Sequence, residues 1–317
     1  MAEDDAGGVA TMRGDGITIL GVFVADAAFR TARRPGLGET VLGEGFALGP
    51  GGKGSNQAVA AGRLGGRVRF VTRLGDDAFA ELAERTWREA GVEPIVTRDP
   101  ASYTGAAGIV VDTLSGDNAI VICAGAGGEL APADVDAAED AITGAAVFMT
   151  QLEQPVAAAA RGLALARTAG VTTILDPAPA VALDDAILAL ADIVTPNESE
   201  AAALSGIEVT GLDDARRAAE ALIARGAGTV VLTLGAQGAL VHDGTAAVHV
   251  AAVPVAAVVD TTGAGDAFNG GLAVALARGE DLLAAARFAA RVAAVAVTRH
   301  GTAAAMPWAA DLLVRSS

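Results

Sequence analysis

The stretch LGETVLGEGFALGPGGKGSNQAVAAGRLG, residues 37–65, passes without an intervening helix from a strand-like run into a glycine cluster and then into an alanine-rich helical run. It carries Lys53, the only lysine among 22 basic residues. Gly51 and Gly52 let the backbone approach a ligand closely, and Asn56 sits one turn into a helix whose free N–H groups face the same spot. An ammonium is a compact charge on a flexible stem, suited to a tight pocket of hydroxyl or phosphate oxygens that a planar guanidinium does not fit. The plain structural alternative is a glycine turn entering a core helix. A P-loop is excluded, because Ala47 and Gly54 stand where that motif needs glycine and a hydroxyl residue.

Outward from this stretch, short β-branched runs alternate with alanine-rich helical ones. Strands are expected within 17–26, 67–75, 145–153, 171–179, 192–198 and 229–235, and helices within 78–91, 213–226 and 280–297. Such alternation predicts a mainly parallel sheet covered by helices on both faces. Two segments break it, residues 37–49 and 102–123, where strand-like runs follow one another directly; they predict a small antiparallel sheet standing apart. Ligands of open parallel sheets lie beyond the carboxyl ends of the strands. Here those ends carry Asp26, Glu153, Asp176, Asn197 with Glu200, and Gly235 with Gly238.

Composition bounds the function. With 317 residues and 52% hydrophobic side chains, the chain can bury a large core. A formal net charge of -16 disfavours nucleic-acid and anionic-membrane partners, so an anionic ligand has to be held locally. One cysteine, Cys123, excludes an intramolecular disulfide, and three scattered histidines give no metal-ligand spacing; a reducing cytoplasm is expected. Residues 1–16 are acidic, lack an apolar core and read as a mobile leader. No run of about 18 apolar residues occurs, so no membrane span is expected.

A second glycine-rich segment, DTTGAGDAFNGGLAVALARG at 260–279, joins a strand end to a helix. Phe268 stands where a dinucleotide fingerprint needs its third glycine, which disfavours a dehydrogenase. The N–H groups from Gly263 to Asp266 are expected to form an anion hole that stabilises charge on a transferring phosphoryl group. Asp266 has two compatible readings: a cap of the helix start, or a general base that takes the proton of an attacking hydroxyl.

Together the two glycine-rich stretches resemble the paired signatures of the PfkB-type carbohydrate kinase family, and the first looks most like its ribokinase branch. MTQLEQP, DPAPA, TPNESEAAALSGI, VLTLGAQGA and AVTRHGTAAAMPW follow in the family's order and spacing, so the resemblance covers about residues 17–312. It implies one ribokinase-like kinase domain, a three-layer α/β/α core with a β-sheet lid inserted at about 25–50 and 102–124. It also implies magnesium-ATP as phosphoryl donor, a sugar's primary hydroxyl as acceptor, and a homodimer paired through the lid. By the resemblance, Asp266 is the catalytic base and Gly263, Ala264 and Gly265 are its anion hole. Asp26, Gly51, Gly52, Lys53, Asn56 and Glu153 line the sugar. Asn197 and Glu200 order the phosphates and magnesium, while Thr233, Gly235, Gly238 and Gly265 hold the nucleotide. A potassium site is implied at Asp260, Thr262, Ala296, Arg299, Gly301 and Ala305, where ribokinases often present serine at the position of Ala305. Val24 stands where they usually show asparagine. Ribose is the leading substrate, with another pentose, a ketohexose or a nucleoside as competitors and a non-catalytic sensor as the remaining alternative.

Overall fold

The structure, a computed structural model, describes residues 16–313. The leader expected over 1–16 therefore lies, apart from Gly16, outside the described residues. Thirteen strands fall into two sheets: β1 (Ile17–Leu20), β2 (Val24–Thr31), β3 (Gly45–Gly51), β4 (Val68–Leu74), β5 (Val92–Arg98), β6 (Thr104–Asp112), β7 (Asn118–Gly125), β8 (Val147–Thr150), β9 (Thr172–Leu175), β10 (Ile193–Val194), β11 (Thr229–Thr233), β12 (Ala239–His242) and β13 (Ala247–Val250). Nine form a sheet in the order β13-β12-β11-β10-β9-β8-β1-β4-β5, parallel except at β12 and β13. Four form a smaller sheet, β3-β2-β6-β7, in which the outer pairings are antiparallel and the central β2–β6 pairing is parallel.

Alternation along the buried strands builds a core on each face of the large sheet. Ile17, Ile19, Met149, Ile174 and Val231 point into one, under the helices Lys53–Arg63, Ala78–Glu89, Ala264–Ala277 and Leu282–Ala296. Leu20, Phe148, Leu175, Val194 and Leu232 point into the other, under helices that include Val156–Thr168 and Leu212–Ala224. Helix starts are set locally: Asp77 caps Ala78–Glu89 by accepting from Ala80 N at 2.9 Å, and Asp281 caps Leu282–Ala296 by accepting from Ala284 N at 2.9 Å.

The expected three-layer α/β architecture is observed with differences in detail, and the small sheet, expected to be antiparallel, pairs β2 with β6 in parallel. The run 17–26 is split: Gly21, Val22 and Phe23 carry the chain out of the large sheet, so β1 and β2 belong to different sheets. Residues 37–44 form no strand, and Leu37 and Leu42 are exposed; pairing with β2 begins only at Gly45. The order of the large sheet reverses between β1 and β8, because the chain winds from β1 to β4 on one side and from β8 to β9 on the other. A crevice outside the carboxyl ends of strands is the site geometry that such a switch point creates.

Candidate active site

Two glycine contacts bring the polar residues of that crevice together. Gly54 meets Gly21 so closely that a Cβ on Gly54 would lie 2.8 Å from Gly21 Cα, which seats the helix Lys53–Arg63 on the end of β1. Gly270 faces Ala60, where a Cβ would lie 2.6 Å from the alanine methyl, so the helices Lys53–Arg63 and Ala264–Ala277 pack side by side. Their starts then converge, and residues some 210 positions apart in sequence share one site.

Asp266 lies in the first turn of Ala264–Ala277, 5% exposed. Its Oδ2 accepts from Asn56 Nδ2 at 3.0 Å and its Oδ1 from Gln57 Nε2 at 3.2 Å. Gly263 precedes the helix at φ 78°, a left-handed conformation suited to glycine, and puts Ala264 and Gly265 at a helix N-terminus, where the Ala264 N–H donates to Thr261 O at 3.1 Å. The Asp266 carboxylate is thus held by the side-chain amides of Asn56 and Gln57. Lys53, Gly263, Gly265 and Asp266 line a cavity of about 140 Å³ together with Asn197, Glu200 and Thr233. Four further residues complete its wall, Asp176, Ala178, Thr195 and Asn269. A more open depression of about 320 Å³ at Arg167, Thr172 and Asp192 lies at the opposite, amino end of β9, away from the convergent carboxylates.

Burial and charge oppose one another throughout the site. Burial disfavours the Lys53 ammonium, yet Asp266, Asp176, Glu153 and Glu200 outweigh it and push its pKa up to about 12. Burial raises the carboxyl of Asp266, against the Lys53 charge and the amides of Asn56 and Gln57. A general base works best with a pKa near the operating pH, and an upward shift moves Asp266 that way. Asp176 is raised well above the usual carboxylate range by burial, against Lys53. Glu153 is pushed up to about 7 by burial although its Oε2 accepts from Lys53 N at 2.7 Å, and burial alone pushes Asp26 up to about 6.

Asp26 lies on β2 against Gly51, whose missing side chain leaves room for its carboxylate. Gly52 is at φ 87° with the carbonyl of Val22 2.5 Å from where a Cβ would stand. Asn56 Oδ1 and Asn269 Oδ1 are buried without a hydrogen-bond partner, acceptors that a polar ligand at this position would satisfy. Asn197 and Glu200 form a reciprocal capping box on the helix Glu198–Ser205, at 2.9 Å in both directions, and still line the cavity. Gly235 and Gly238 form the turn after β11 and are not part of the cavity wall; at Gly238, φ 96°, a Cβ would stand 2.5 Å from Ala252 N.

Close in sequence to the Gly263–Gly265 turn, Asp260 accepts from Thr262 N at 2.9 Å and from Gly301 N at 3.0 Å, tying together the two loops that hold Thr262 and Gly301. Ala296 ends the helix Leu282–Ala296 and accepts from Arg299 N at 3.0 Å, whereas the Arg299 side chain turns away to Asp311 at 3.0 Å. Ala305 is buried and brings no side-chain oxygen. Among the described residues, no group of three or more His, Cys, Asp or Glu side chains has the geometry of a metal site. Gln57, Gln151 and Asn269 escaped assignment from sequence, and Asp176 was read there only as a polar strand end; the available signal was polar residues at strand and helix positions otherwise filled by apolar ones.

The model of the pfkB family carbohydrate kinases matches residues 16–309. A ribokinase of Mus musculus is 39% identical over 93% of this chain and 93% of its own length. A deoxyribokinase of Salmonella typhi is 36% identical over 92% of this chain and 95% of its own. The solved structure of Arabidopsis thaliana ribokinase complexed with ribose and ATP superposes with a TM-score of 0.87 at 29% identity, covering 95% of this chain and 98% of that one. With the family model, the relatives and the solved fold agreeing along almost the whole length, the chain belongs to the pfkB family of carbohydrate kinases.

Proposed function

We propose that the protein is an ATP-dependent sugar kinase that phosphorylates the primary hydroxyl of D-ribose. The observation that carries this reading is the placement of Asp266, a buried carboxylate at a helix N-terminus, on one cavity with Lys53 and the Gly263–Gly265 turn. The ribokinase relatives and the ribose and ATP complex of the Arabidopsis protein supply the substrate pair.

In the proposed reaction Asp266 removes the hydroxyl proton, the hydroxyl oxygen bonds to the γ-phosphorus, and the bond from that phosphorus to the β-phosphate bridging oxygen breaks, releasing ADP. The amides at the start of Ala264–Ala277 and the Lys53 ammonium stabilise charge on the moving phosphoryl group, so positioning and electrostatics dominate. Asp26, the Gly51–Lys53 backbone, Asn56 and Glu153 hold the sugar. Asn197 and Glu200, a carboxylate and an amide on the cavity wall, suit a magnesium ion held through water, which when bound neutralises phosphate charge. Asp260 and the carbonyls of Thr262, Ala296, Arg299 and Gly301 are the oxygens that would hold a potassium ion, to which Ala305 would add no side-chain ligand. Thr233 borders the nucleotide, whereas Gly235 and Gly238 shape the turn behind it.

The small sheet acts as a lid over the sugar and as the surface of a homodimer. Strand alternation puts Phe29, Phe46, Leu48 and Val121 on the face opposite Asp26, and all four are exposed, with Phe29 and Phe46 stacked at 5.1 Å. Exposed apolar patches of this kind are characteristic of interaction surfaces.

A second reading of the substrate is favoured by one observation. Val24, on the same face of β2 as Asp26, is buried with Val22, Ala107 and Ile109, an apolar wall that offers no hydrogen bond to a hydroxyl. A deoxypentose lacks such a hydroxyl, and the Salmonella relative is a deoxyribokinase. ADP release measured against ribose, 2-deoxyribose, hexoses and nucleosides, with Asp266→Ala as control, tests both readings. Turnover above the control with ribose supports the first, a preference for 2-deoxyribose supports the second, and no turnover with any acceptor refutes the kinase.

A further inference from the structure

Behind Asp266 lies a fully buried chain of polar side chains that the reaction above does not use. Gln57, on the helix Lys53–Arg63, is 0% exposed, as is Gln151 just after β8; Asp176, just after β9, is 4% exposed. The Gln57 amide nitrogen donates to Asp176 Oδ2 at 2.7 Å and to Asp266 Oδ1 at 3.2 Å. Its carbonyl oxygen accepts from Gln151 Nε2. This arrangement fixes which way the amide faces, because the reverse would set its oxygen against two carboxylates. Gln151 is held in turn by the Gly21–Gly54 contact, where a Cβ on either glycine would strike its Oε1, at 2.5 Å from Gly21 and 2.7 Å from Gly54.

We infer that Gln57 is a positioning residue for the base: one amide nitrogen, oriented by Gln151 and shared with Asp176, anchors Asp266 by Oδ1 and so aims Oδ2 at the acceptor hydroxyl. The inference rests on the kinase reading and assigns the second buried carboxylate a role. Asp176 competes with Asp266 for the same donor and for the same cation, Lys53, and so sets how strongly Gln57 holds the base. Upward displacement of both carboxyls is what two acids sharing scarce donors in a dry site should show. The other charged groups acting on Asp266 are Lys53 at the start of its own helix and Glu200 from the helix Glu198–Ser205; Glu153, following β8, is coupled to Asp266 as well.

The test is the pH dependence of kcat and of kcat/KM in the full-length protein, wild type against Gln57→Leu and Asp176→Asn. Gln57→Leu removes a donor that favours the charged base. It should lower kcat about 10- to 100-fold, part of the roughly 10²- to 10⁴-fold that a general base supplies, leave KM for ATP unchanged, and move the acid limb to higher pH. Asp176→Asn removes the competing charge and releases the Gln57 N–H to Asp266, so the acid limb should move to lower pH. Limbs that stay in place, or that move in the same direction in both variants, overturn the inference.

Should Gln57→Leu not fold, as judged by circular dichroism, Gln57→Glu preserves its shape. That variant should be slow at pH 8, where a third carboxylate faces two others, and recover as pH falls and the acid regains an O–H donor. A pH-independent deficit overturns the inference equally. Wild-type protein without turnover on any sugar would sink the kinase reading as well, whereas active wild type with unmoved limbs would sink only the role of Gln57.

Discussion

Gly51→Ala separates the sugar pocket from the fold that carries it. Gly51 ends β3 beside β2, and a methyl there would stand 2.5 Å from Asp26 Cγ and 2.7 Å from Oδ1, inside the volume the carboxylate occupies. What blocks the methyl is the end of a half-buried side chain, not backbone, so Asp26 can rotate away at little cost to the sheet. The carboxylate then no longer accepts hydrogen bonds from the sugar. A hydrogen bond to a charged group contributes about 1.5–3 kcal/mol. At about 1.4 kcal/mol per tenfold, kcat/KM for the sugar should fall about 10- to 150-fold, with the loss mainly in KM because bound and reacting sugar are held alike. Steady-state ADP release against sugar concentration gives the number, and a melting curve checks the fold. Asp26→Ala should reproduce the defect, and Gly51→Ala with Asp26→Ala should be no worse than Asp26→Ala alone, since both remove one contact. Additive losses, or unchanged kcat/KM in a folded Gly51→Ala protein, would refute the reasoning.

Lys53→Arg preserves charge but puts a broad fork among Asp266, Asp176, Glu153 and Glu200; activity should drop at least about tenfold, and wild-type turnover in the variant would remove the case for a compact cation. Acidification should weaken sugar use, because Glu153 and Asp26 take up protons as pH falls through about 7 and about 6, raising KM for the sugar but not for ATP. Their effect on stability has the opposite sign: both titrate higher when folded than when unfolded (4.5 and 3.8), so stability from these two groups is lost as pH rises from 3.8 through about 7. Glu153→Gln should therefore raise the melting temperature at pH 8 and not at pH 3; a rise of equal size at both would contradict the assignment. Phe29→Glu, on the exposed lid face, should convert dimer to monomer in sedimentation, and a wild-type protein that sediments as a monomer would refute the lid interface. Gly238→Ala should destabilise the fold by about 1–3 kcal/mol through backbone strain at φ 96°, measured by urea unfolding; a normal midpoint with lost ATP binding would return Gly238 to the nucleotide site.

How far the site was legible depended on whether a residue's role is written locally. The glycines at 52 and 263, the cap at Asn197 and the base candidate Asp266 declare themselves, because φ > 0 turns and helix starts need particular residue types within a few positions. β5 was missed because Pro94 interrupts its strand pattern, and at an edge strand that proline is tolerated. At Gly238 the family motif implies a nucleotide role, and the backbone conformation with Ala252 close by calls for glycine independently.

By itself the amino-acid sequence determined the layered α/β class, the two glycine-rich turns and the identity of the family, since periodicity, turn chemistry and ordered motifs are properties of the chain read in one dimension. Only the tertiary structure decided that β1 and β2 part company at Gly21–Phe23, and that Gln57 and Asp176 stand behind the base. The physical reason is that these depend on close approach between segments distant in sequence, 33 residues for Gly21 and Gly54 and 209 for Gln57 and Asp266. Two glycine contacts, Gly21 with Gly54 and Gly270 with Ala60, permit that approach, and burial at the meeting point then raises the Asp266 carboxyl against the pull of Lys53.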